Sequence, residues 1–126
     1  LIWGYGAGND LTRRDLQAQA KAARRPWDMA KGFDHSAVVG ALRPASAGVP
    51  QGRIRARVGA VMRQDADLSE MIWPVAAIIA HLSQVVTLAA GDLIFTGTPA
   101  GVGPVAPGQT CIVEIDGLAP CVITLA

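Results

Sequence analysis

The sequence predicts a mainly β fold of the α+β class, in which two helices are set among short strands. Short runs rich in β-branched residues are bounded by glycine turns, which is typical of strands and hairpins. Two longer segments have the composition or the apolar spacing of helices. The chain of 126 residues is 51% hydrophobic and 17% charged, which suits one packed domain.

The first predicted elements are a buried strand and a helix. Leu1-Ile2-Trp3-Gly4-Tyr5 is apolar and favours a strand. Because no initiating methionine opens it, we expect further chain to precede it. Good helix formers then predict a helix from about Arg13 to Ala23, with Thr12 and Asp15 as a capping box.

Two loops are predicted after this helix. Pro26-Trp27 ends the helix, and the polar, glycine-containing segment Lys31-Gly32-Phe33-Asp34 is placed in a loop. Residues Ser46 to Gly52, rich in Gly, Pro and Ser, are expected to form a second loop at the surface.

A hairpin and a second helix are predicted in the middle of the chain. The runs Ile54 to Val58 and Val61 to Gln64 flank Gly59-Ala60, whose glycine can adopt the positive φ of a two-residue turn. Between Ser69 and Thr87, apolar residues recur at three-and-four spacing, and Pro74 suits a first helical turn.

The last third of the chain is predicted to consist of strands. Gly91-Asp92 opens a strand from Leu93 to Phe95. Thr110 to Ile115 forms another strand, which pairs through an Asp116-Gly117 turn with Val122 to Leu125.

The two cysteines, Cys111 and Cys121, flank that turn. A two-residue turn would set Cys111 opposite Val122 and Ile112 opposite Cys121, so that the sulfurs leave the sheet on opposite faces. We therefore predict two free thiols rather than a disulfide.

Charge and hydropathy narrow the class of ligand. Eleven basic and ten acidic residues give a formal net charge of +1, and no basic run is longer than Arg24-Arg25. We therefore expect neither nucleic acid nor a membrane as a partner. The longest apolar stretch is interrupted by Pro74 and His81, which argues against a spanning helix. A cytoplasmic protein with a small-molecule ligand is the expectation.

Asp10 opens the densest polar cluster of the chain, at the end of the first apolar segment. Arg14 and Gln17 are three residues apart, so they share a helix face and can point together at the space beside Asp10. A carboxylate for a divalent cation, next to a fork-shaped donor, suits a metal-bound oxo acid. The alternative is that Asp10 caps the helix and Arg14 forms a surface ion pair.

Two further segments are candidates for the site. Lys31 could stabilise a developing oxyanion, or it could be a solvated loop lysine. In the glycine-rich run 96–103, backbone N–H groups and the Thr98 hydroxyl could hold an anion, with a plain tight turn as the alternative. A phosphate loop is excluded because its lysine and the following Ser or Thr are absent.

Four blocks, taken in this order, resemble the motifs of the fumarylacetoacetate hydrolase family. The blocks are Gly8 to Gln17, Lys31 to Asp34, Arg63 to Asp65 and Gly91 to Gly103. The resemblance covers nearly the whole chain. Within the family, Arg25 to Asp28 and His35-Ser36-Ala37 resemble the branch that hydrolyses fumarylpyruvate.

The resemblance implies a fold, a cofactor and a reaction. The fold is a mixed β-sandwich roll of the family's C-terminal type with two or more helices, usually in a homodimer. The cofactor is Mg²⁺ or Mn²⁺ held by three carboxylates, of which Asp10 is one. Lys31 is the catalytic residue, and Arg14, Gln17, Lys31 and Thr98 bind the substrate. The reaction is hydrolysis of a carbon-carbon bond in a 2,4-diketo acid, most closely fumarylpyruvate to fumarate and pyruvate in gentisate degradation.

The chain departs from the family pattern in its ligand set. The Glu-x-Glu pair that supplies the other two metal ligands has no counterpart in 1–126, nor have the lid His and Glu that help activate water, so we expect a partial catalytic domain. Decarboxylation of oxaloacetate and isomerisation of 2-hydroxyhepta-2,4-diene-1,7-dioate are alternative reactions. The same metal ion and lysine can stabilise an enolate however it is generated. From another class, the chain could be a non-catalytic scaffold or binding module.

Overall fold

Eight strands and three α-helices build the fold, which confirms the mainly β, α+β prediction. The computed structural model describes all residues, Leu1–Ala126. The strands are β1 (Gly4–Tyr5), β2 (Gly8–Asp10), β3 (Ala37–Val39), β4 (Arg43–Pro44), β5 (Arg53–Val58), β6 (Val61–Asp67), β7 (Thr110–Ile115) and β8 (Cys121–Thr124). The helices are α1 (Arg14–Ala22), α2 (Asp28–Lys31) and α3 (Val75–Leu82). None of them is long and apolar enough to cross a membrane.

The strands form one sheet of four and two sheets of two, and every pair is antiparallel. The order in the large sheet is β6-β5-β7-β8, while β1 pairs with β4 and β2 with β3. Both predicted hairpins lie in the large sheet. The first turns at Gly59, whose φ of 56° is the positive value that a glycine adopts readily.

The core lies where the β2-β3 pair packs on the large sheet. Four small buried side chains form its centre: Ala7, Ala56, Val113 and Cys121. Along β2, Asn9 points inward, since its Nδ2 lies 3.3 Å from the Sγ of Cys111. Because successive side chains of a strand point to opposite faces, the neighbouring Asp10 points away from the core.

Both predicted helices form, with different bounds. α1 agrees with the predicted helix to within one residue at each end. α3 covers only the centre of the predicted second helix, and Leu68–Glu70 is a separate 3₁₀ turn. Pro74 directly precedes α3, and a proline disfavours helical backbone in the residue before it, so the helix cannot extend back through Trp73.

Other local predictions are wrong. The run from Leu1 to Tyr5 is not a buried strand, because only Gly4–Tyr5 pairs as a strand and the side chains of Leu1 and Trp3 are exposed. Lys31 ends α2 instead of lying in a loop, because the N–H groups of Ala30 and Lys31 both donate to the carbonyl of Trp27, at 2.8 and 3.2 Å. The segment from Leu93 to Phe95 forms no strand, since no neighbouring backbone pairs with it in a ladder. A strand requires that partner, whatever its side chains favour.

The cysteines are free, as predicted, but the predicted register is wrong. The connection between β7 and β8 is longer than a two-residue turn, so Cys111 pairs with Ile123 and Cys121 with Val113. Both sulfurs therefore lie on the same buried face, in diagonal and not facing positions. Burial raises the pKa of each thiol, which keeps both protonated at neutral pH.

Candidate active site

An ion pair between Asp10 and Lys31 forms the centre of the candidate site. The Nζ of Lys31 lies 2.7 Å from the Oδ2 of Asp10 and also donates to the Oγ1 of Thr12 at 2.9 Å. The side chain of Asp10 is 49% exposed and that of Lys31 is 38% exposed. A ligand in solution can therefore reach both groups.

Backbone hydrogen bonds bring the two charged residues together. The N–H of Leu11 donates to the carbonyl of Ser36 at 2.8 Å, next to the β2-β3 ladder. The N–H of Arg13 donates to the carbonyl of Ala30 at 3.0 Å. These bonds fasten the end of β2 to the end of α2, where Lys31 is the last helical residue.

Thr12 is not the helix cap that the sequence predicted. Arg13 occupies the N-cap position of α1, and no side chain caps this helix. The Thr12 hydroxyl instead accepts from the Lys31 ammonium, and a bond from a charged donor is stronger than one from a backbone N–H. The sequence gives no sign of this role, because the two residues are 19 positions apart and no local pattern signals that contact.

Arg14 and Gln17 share a face of α1, as their spacing predicted. The Nη1 of Arg14 donates to the Oε1 of Gln17 at 3.0 Å. Neither alternative reading is observed: Arg14 forms no ion pair, and Asp10 does not cap the helix. The exposed guanidinium keeps donors available for a carboxylate.

Thr98 is held by a different contact. Its hydroxyl accepts from the Nε2 of Gln64 at 2.7 Å, and the same amide nitrogen donates to the carbonyl of Pro99 at 2.7 Å. Gly101 approaches Arg63 so closely that a Cβ would overlap the Arg63 carbonyl oxygen. The third motif block therefore holds the glycine-rich run in place, and the Thr98 O–H is left to donate to a ligand.

The glycine-rich segment also reaches the strand that carries Asp10. A Cβ placed on Gly8 would lie 2.9 Å from the Cε1 of Phe95, so the aromatic ring packs directly on β2. The five predicted site residues nevertheless form three separate contacts: Asp10 with Lys31, Arg14 with Gln17, and Thr98 with Gln64. No hydrogen bond or ion pair joins these contacts to one another.

Asp10 fits one position of a divalent-cation site, and the chain does not complete that site. No group of three His, Cys, Asp or Glu side chains lies close enough together to hold a metal ion. The Oδ2 of Asp10 accepts from Lys31, whereas its Oδ1 has no hydrogen-bond partner. Mg²⁺ and ions like it can be held by one or two carboxylates together with waters and substrate oxygens, so Asp10 suits a shared ligand set.

Known proteins resemble this chain along its whole length. The family described as fumarylacetoacetate (FAA) hydrolase C-terminal matches residues 1–126. A fumarylpyruvate hydrolase of Ralstonia sp is 42% identical over 126 residues, which cover 99% of this chain and 66% of the relative. An oxaloacetate tautomerase of Escherichia coli (strain K12) is 41% identical over 119 residues, covering 92% of this chain and 54% of the relative.

Among solved structures, a fumarylpyruvate hydrolase of Pseudomonas aeruginosa in complex with Mn²⁺ and pyruvate superposes with a TM-score of 0.94. It is 43% identical in sequence, and the match covers 99% of this chain and 55% of that one. The chain thus spans 54% to 66% of the length of these relatives. Sequence and fold agree over nearly every residue, and the chain belongs to the fumarylacetoacetate hydrolase family.

Proposed function

We propose that this chain belongs to a metal-dependent enzyme that hydrolyses a carbon-carbon bond in a 2,4-diketo acid, with fumarylpyruvate as substrate and fumarate and pyruvate as products. The observation that carries the proposal is an ammonium 2.7 Å from a solvent-accessible carboxylate, which shortly precedes a helix that bears the exposed guanidinium of Arg14. Similarity to two fumarylpyruvate hydrolases supports it, one of them in complex with Mn²⁺ and pyruvate.

Asp10 would hold the cation, Mg²⁺ or Mn²⁺, through its unpaired carboxylate oxygen. We further propose that two other carboxylate ligands and the base that activates water lie outside 1–126, in keeping with the lack of any group of three metal-ligating side chains in this chain. A bound divalent cation supplies Lewis acidity, which lowers the energy of negative charge on substrate oxygens.

The other site residues would bind and orient the substrate. In the proposed reaction, water adds to the carbonyl distal to the pyruvate unit, the adjoining carbon-carbon bond breaks, and its electron pair leaves as the pyruvate enolate. The Lys31 ammonium would stabilise the negative charge on that enolate oxygen. Arg14 would bind a substrate carboxylate through its fork of N–H groups, while Gln17 and Thr98 would donate hydrogen bonds that fix the orientation.

Oxaloacetate is the second candidate substrate. It is favoured by the 41% identity to an oxaloacetate tautomerase, which nearly equals the 42% identity to a fumarylpyruvate hydrolase. Both substrates are 2-oxo acids that form an enolate, so the same cation and lysine suit either one. Measuring kcat/KM on fumarylpyruvate, oxaloacetate and 2-hydroxyhepta-2,4-diene-1,7-dioate decides among the three substrates. A higher value on oxaloacetate would overturn fumarylpyruvate as the proposed substrate.

Replacing Asp10 with alanine tests the proposal. In the complete enzyme we expect Asp10→Ala to abolish metal-dependent cleavage of fumarylpyruvate, a loss of at least about 10³-fold, because a cation ligand is removed. The matched control is Asp28→Ala, which removes an exposed carboxylate that makes no ion pair. Turnover that survives in Asp10→Ala would refute the assignment.

We also propose that the enzyme is a homodimer that acts in the degradation of aromatic compounds such as gentisate. Large apolar side chains support an assembled state, since Trp3, Ile72 and Trp73 are 68%, 92% and 67% exposed. Sedimentation equilibrium is expected to give twice the mass of one protomer, and a monomer at all concentrations would contradict the dimer.

A further inference from the structure

We propose that Thr12 is a positioning residue, which keeps the Lys31 ammonium at the site when the Asp10 carboxylate is engaged by another ligand. The contact that carries the inference lies within this chain: the Oγ1 of Thr12 is 2.9 Å from the Nζ of Lys31, and the Oδ2 of Asp10 is 2.7 Å from it. The catalytic meaning of this contact rests on the proposed function.

The Lys31 ammonium needs a second hydrogen-bond acceptor because its side chain is flexible. A lysine ammonium has three N–H donors on a flexible four-carbon stem. One acceptor fixes only the distance to the nitrogen, whereas two acceptors together with the covalent stem restrict its position. Asp10 and Thr12 occupy two of the three donors, and the third is left to point at a substrate oxygen.

The two acceptors of Lys31 differ in charge and exposure. Asp10 is charged and half exposed, so its carboxylate can exchange the ammonium for another cation. Thr12 is neutral and partly buried, which makes it a poor competitor for a metal ion but a lasting hydrogen-bond acceptor. When Asp10 turns to a cation, Thr12 alone can keep the ammonium in place.

The position of the Thr12 hydroxyl is fixed by its surroundings. The next residue, Arg13, donates its N–H to the carbonyl of Ala30 at 3.0 Å, one residue before Lys31. Threonine is branched at Cβ, so few rotamers are open to its hydroxyl. Since no side chain caps α1, the hydroxyl is not used by the helix.

The lysine content of the chain allows a direct test. Lys21 and Lys31 are the only two lysines of residues 1–126, so labelling lysine with ¹⁵N in this chain gives two side-chain ammonium signals. Lys21 lies over the Trp27 ring at 5.9 Å and forms no hydrogen bond or ion pair, which makes it the internal reference. We expect the Lys31 ammonium to exchange protons with water about fivefold more slowly than that of Lys21, as for one net hydrogen bond.

Variants at Thr12 separate the hydroxyl from the shape of the side chain. Thr12→Val keeps the branched shape but lacks the hydroxyl, and its Lys31 ammonium should exchange protons faster than that of the parent protein, although Asp10 still accepts one hydrogen bond from it. Thr12→Ser keeps the hydroxyl and should retain the slow exchange. An exchange rate at Lys31 that Thr12→Val leaves unchanged would overturn the proposal.

Asp10→Ala tests whether Thr12 holds the Lys31 ammonium when the Asp10 carboxylate does not. This variant also tests the proposal if Thr12→Val fails to fold. With the carboxylate removed, the Lys31 ammonium should still exchange more slowly than the Lys21 ammonium, because Thr12 continues to hold it. Equal rates for the two lysines in Asp10→Ala would overturn the proposal.

Turnover gives a second readout that depends on the proposed function. In the complete enzyme, Thr12→Val should lower kcat for fumarylpyruvate about tenfold and leave KM nearly unchanged, and Thr12→Ser should restore kcat. If no diketo acid is cleaved, the proposed function fails, while the two ammonium signals still decide the role of Thr12.

Discussion

The charge of Lys31 is balanced by a carboxylate that solvent can still reach. An exposed ion pair of this kind stabilises a fold by only about 0 to 1 kcal/mol, because water screens it and two side chains lose freedom. The contribution of this pair to folding is therefore small. Its consequence is local, since it places a positive charge beside the carboxylate that we propose as a cation ligand.

Replacing Lys31 separates the proposed catalytic role of its charge from its effect on the stability of the fold. We expect Lys31→Met to lower kcat by about 10²- to 10³-fold, as for loss of a group that stabilises an oxyanion. The thermal midpoint should hardly change, because the ion pair is exposed. Lys21→Met, at the other lysine of the chain, should keep the kcat of the parent enzyme. Equal kcat values for the two variants would contradict the role of Lys31.

The residue contacts that could be predicted are those that lie within one helix turn. Arg14 and Gln17 meet because they are three apart in α1, and periodicity alone shows this. The contact from Lys31 to Asp10 crosses 21 positions, and that from Gln64 to Thr98 crosses 34. Only the family resemblance assigned Asp10, Lys31 and Thr98 to one site in advance, and it gave no partner for Gln64.

At the scale of elements, strand β6 fixes the glycine-rich run that carries Thr98. Gln64 provides two hydrogen bonds to this run, and the backbone of Arg63 packs against Gly101. Gly101 has a φ of 103°, in a region that side chains with a Cβ rarely adopt. Both the conformation and the close approach therefore require glycine there.

Alanine at Gly101 is expected to destabilise the fold. Gly101→Ala should cost about 2 kcal/mol or more, from the positive φ and from the overlap of its Cβ with a backbone carbonyl. Gly103→Ala is the matched control, because a Cβ there meets nothing within 4 Å and the φ is not positive. Urea unfolding of both variants measures the difference, and equal midpoints would show that this contact does not form.

Elements with a strong local sequence signal were predicted correctly, whereas elements that depend on a distant partner were not. α1 has a run of good helix formers, and the β5-β6 hairpin has its glycine turn. α2 is a single turn placed by contacts with the start of α1, which periodicity cannot reveal in so short a segment. The strand predicted from Leu93 to Phe95 has suitable side chains but no ladder partner.

Across the whole molecule, the outer face of the large sheet is a ladder of alternating charges. Three arginines of β5 pair with acids on neighbouring segments: Arg53 with Asp65, Arg55 with Asp116, and Arg57 with Glu114. The period-two pattern that points Ala56 and Val58 to the core points these arginines outward. The ladder therefore neutralises three basic residues of one strand with acidic residues of the same chain.

Stability should fall in acid because of this ladder. A hydrogen bond from the Arg53 N–H, and then the charge of Arg55, hold the pKa of Asp116 below its ordinary value of 3.8. The folded state therefore favours the charged form, so this stabilisation is complete above pH 3.8 and is lost as the pH falls through the lower, folded-state pKa.

We expect Asp116→Asn to lower the urea midpoint at pH 7 and to flatten its decline below pH 3.8. Asp34→Asn is the control, since that carboxylate makes no hydrogen bond or ion pair. A decline in acid that is identical in Asp116→Asn and the parent protein would contradict the contribution of Asp116.

The proposed role of Asp10 as a cation ligand is tested most directly by Mn²⁺ titration of the ¹⁵N-labelled protein. A paramagnetic ion broadens the amide signals of nearby residues even when it binds weakly, so a site with one carboxylate can still be located. We expect broadening centred on Asp10, Leu11 and Lys31, and its loss in Asp10→Asn. Broadening centred instead on Asp65 and Asp116, or unchanged in Asp10→Asn, would contradict it.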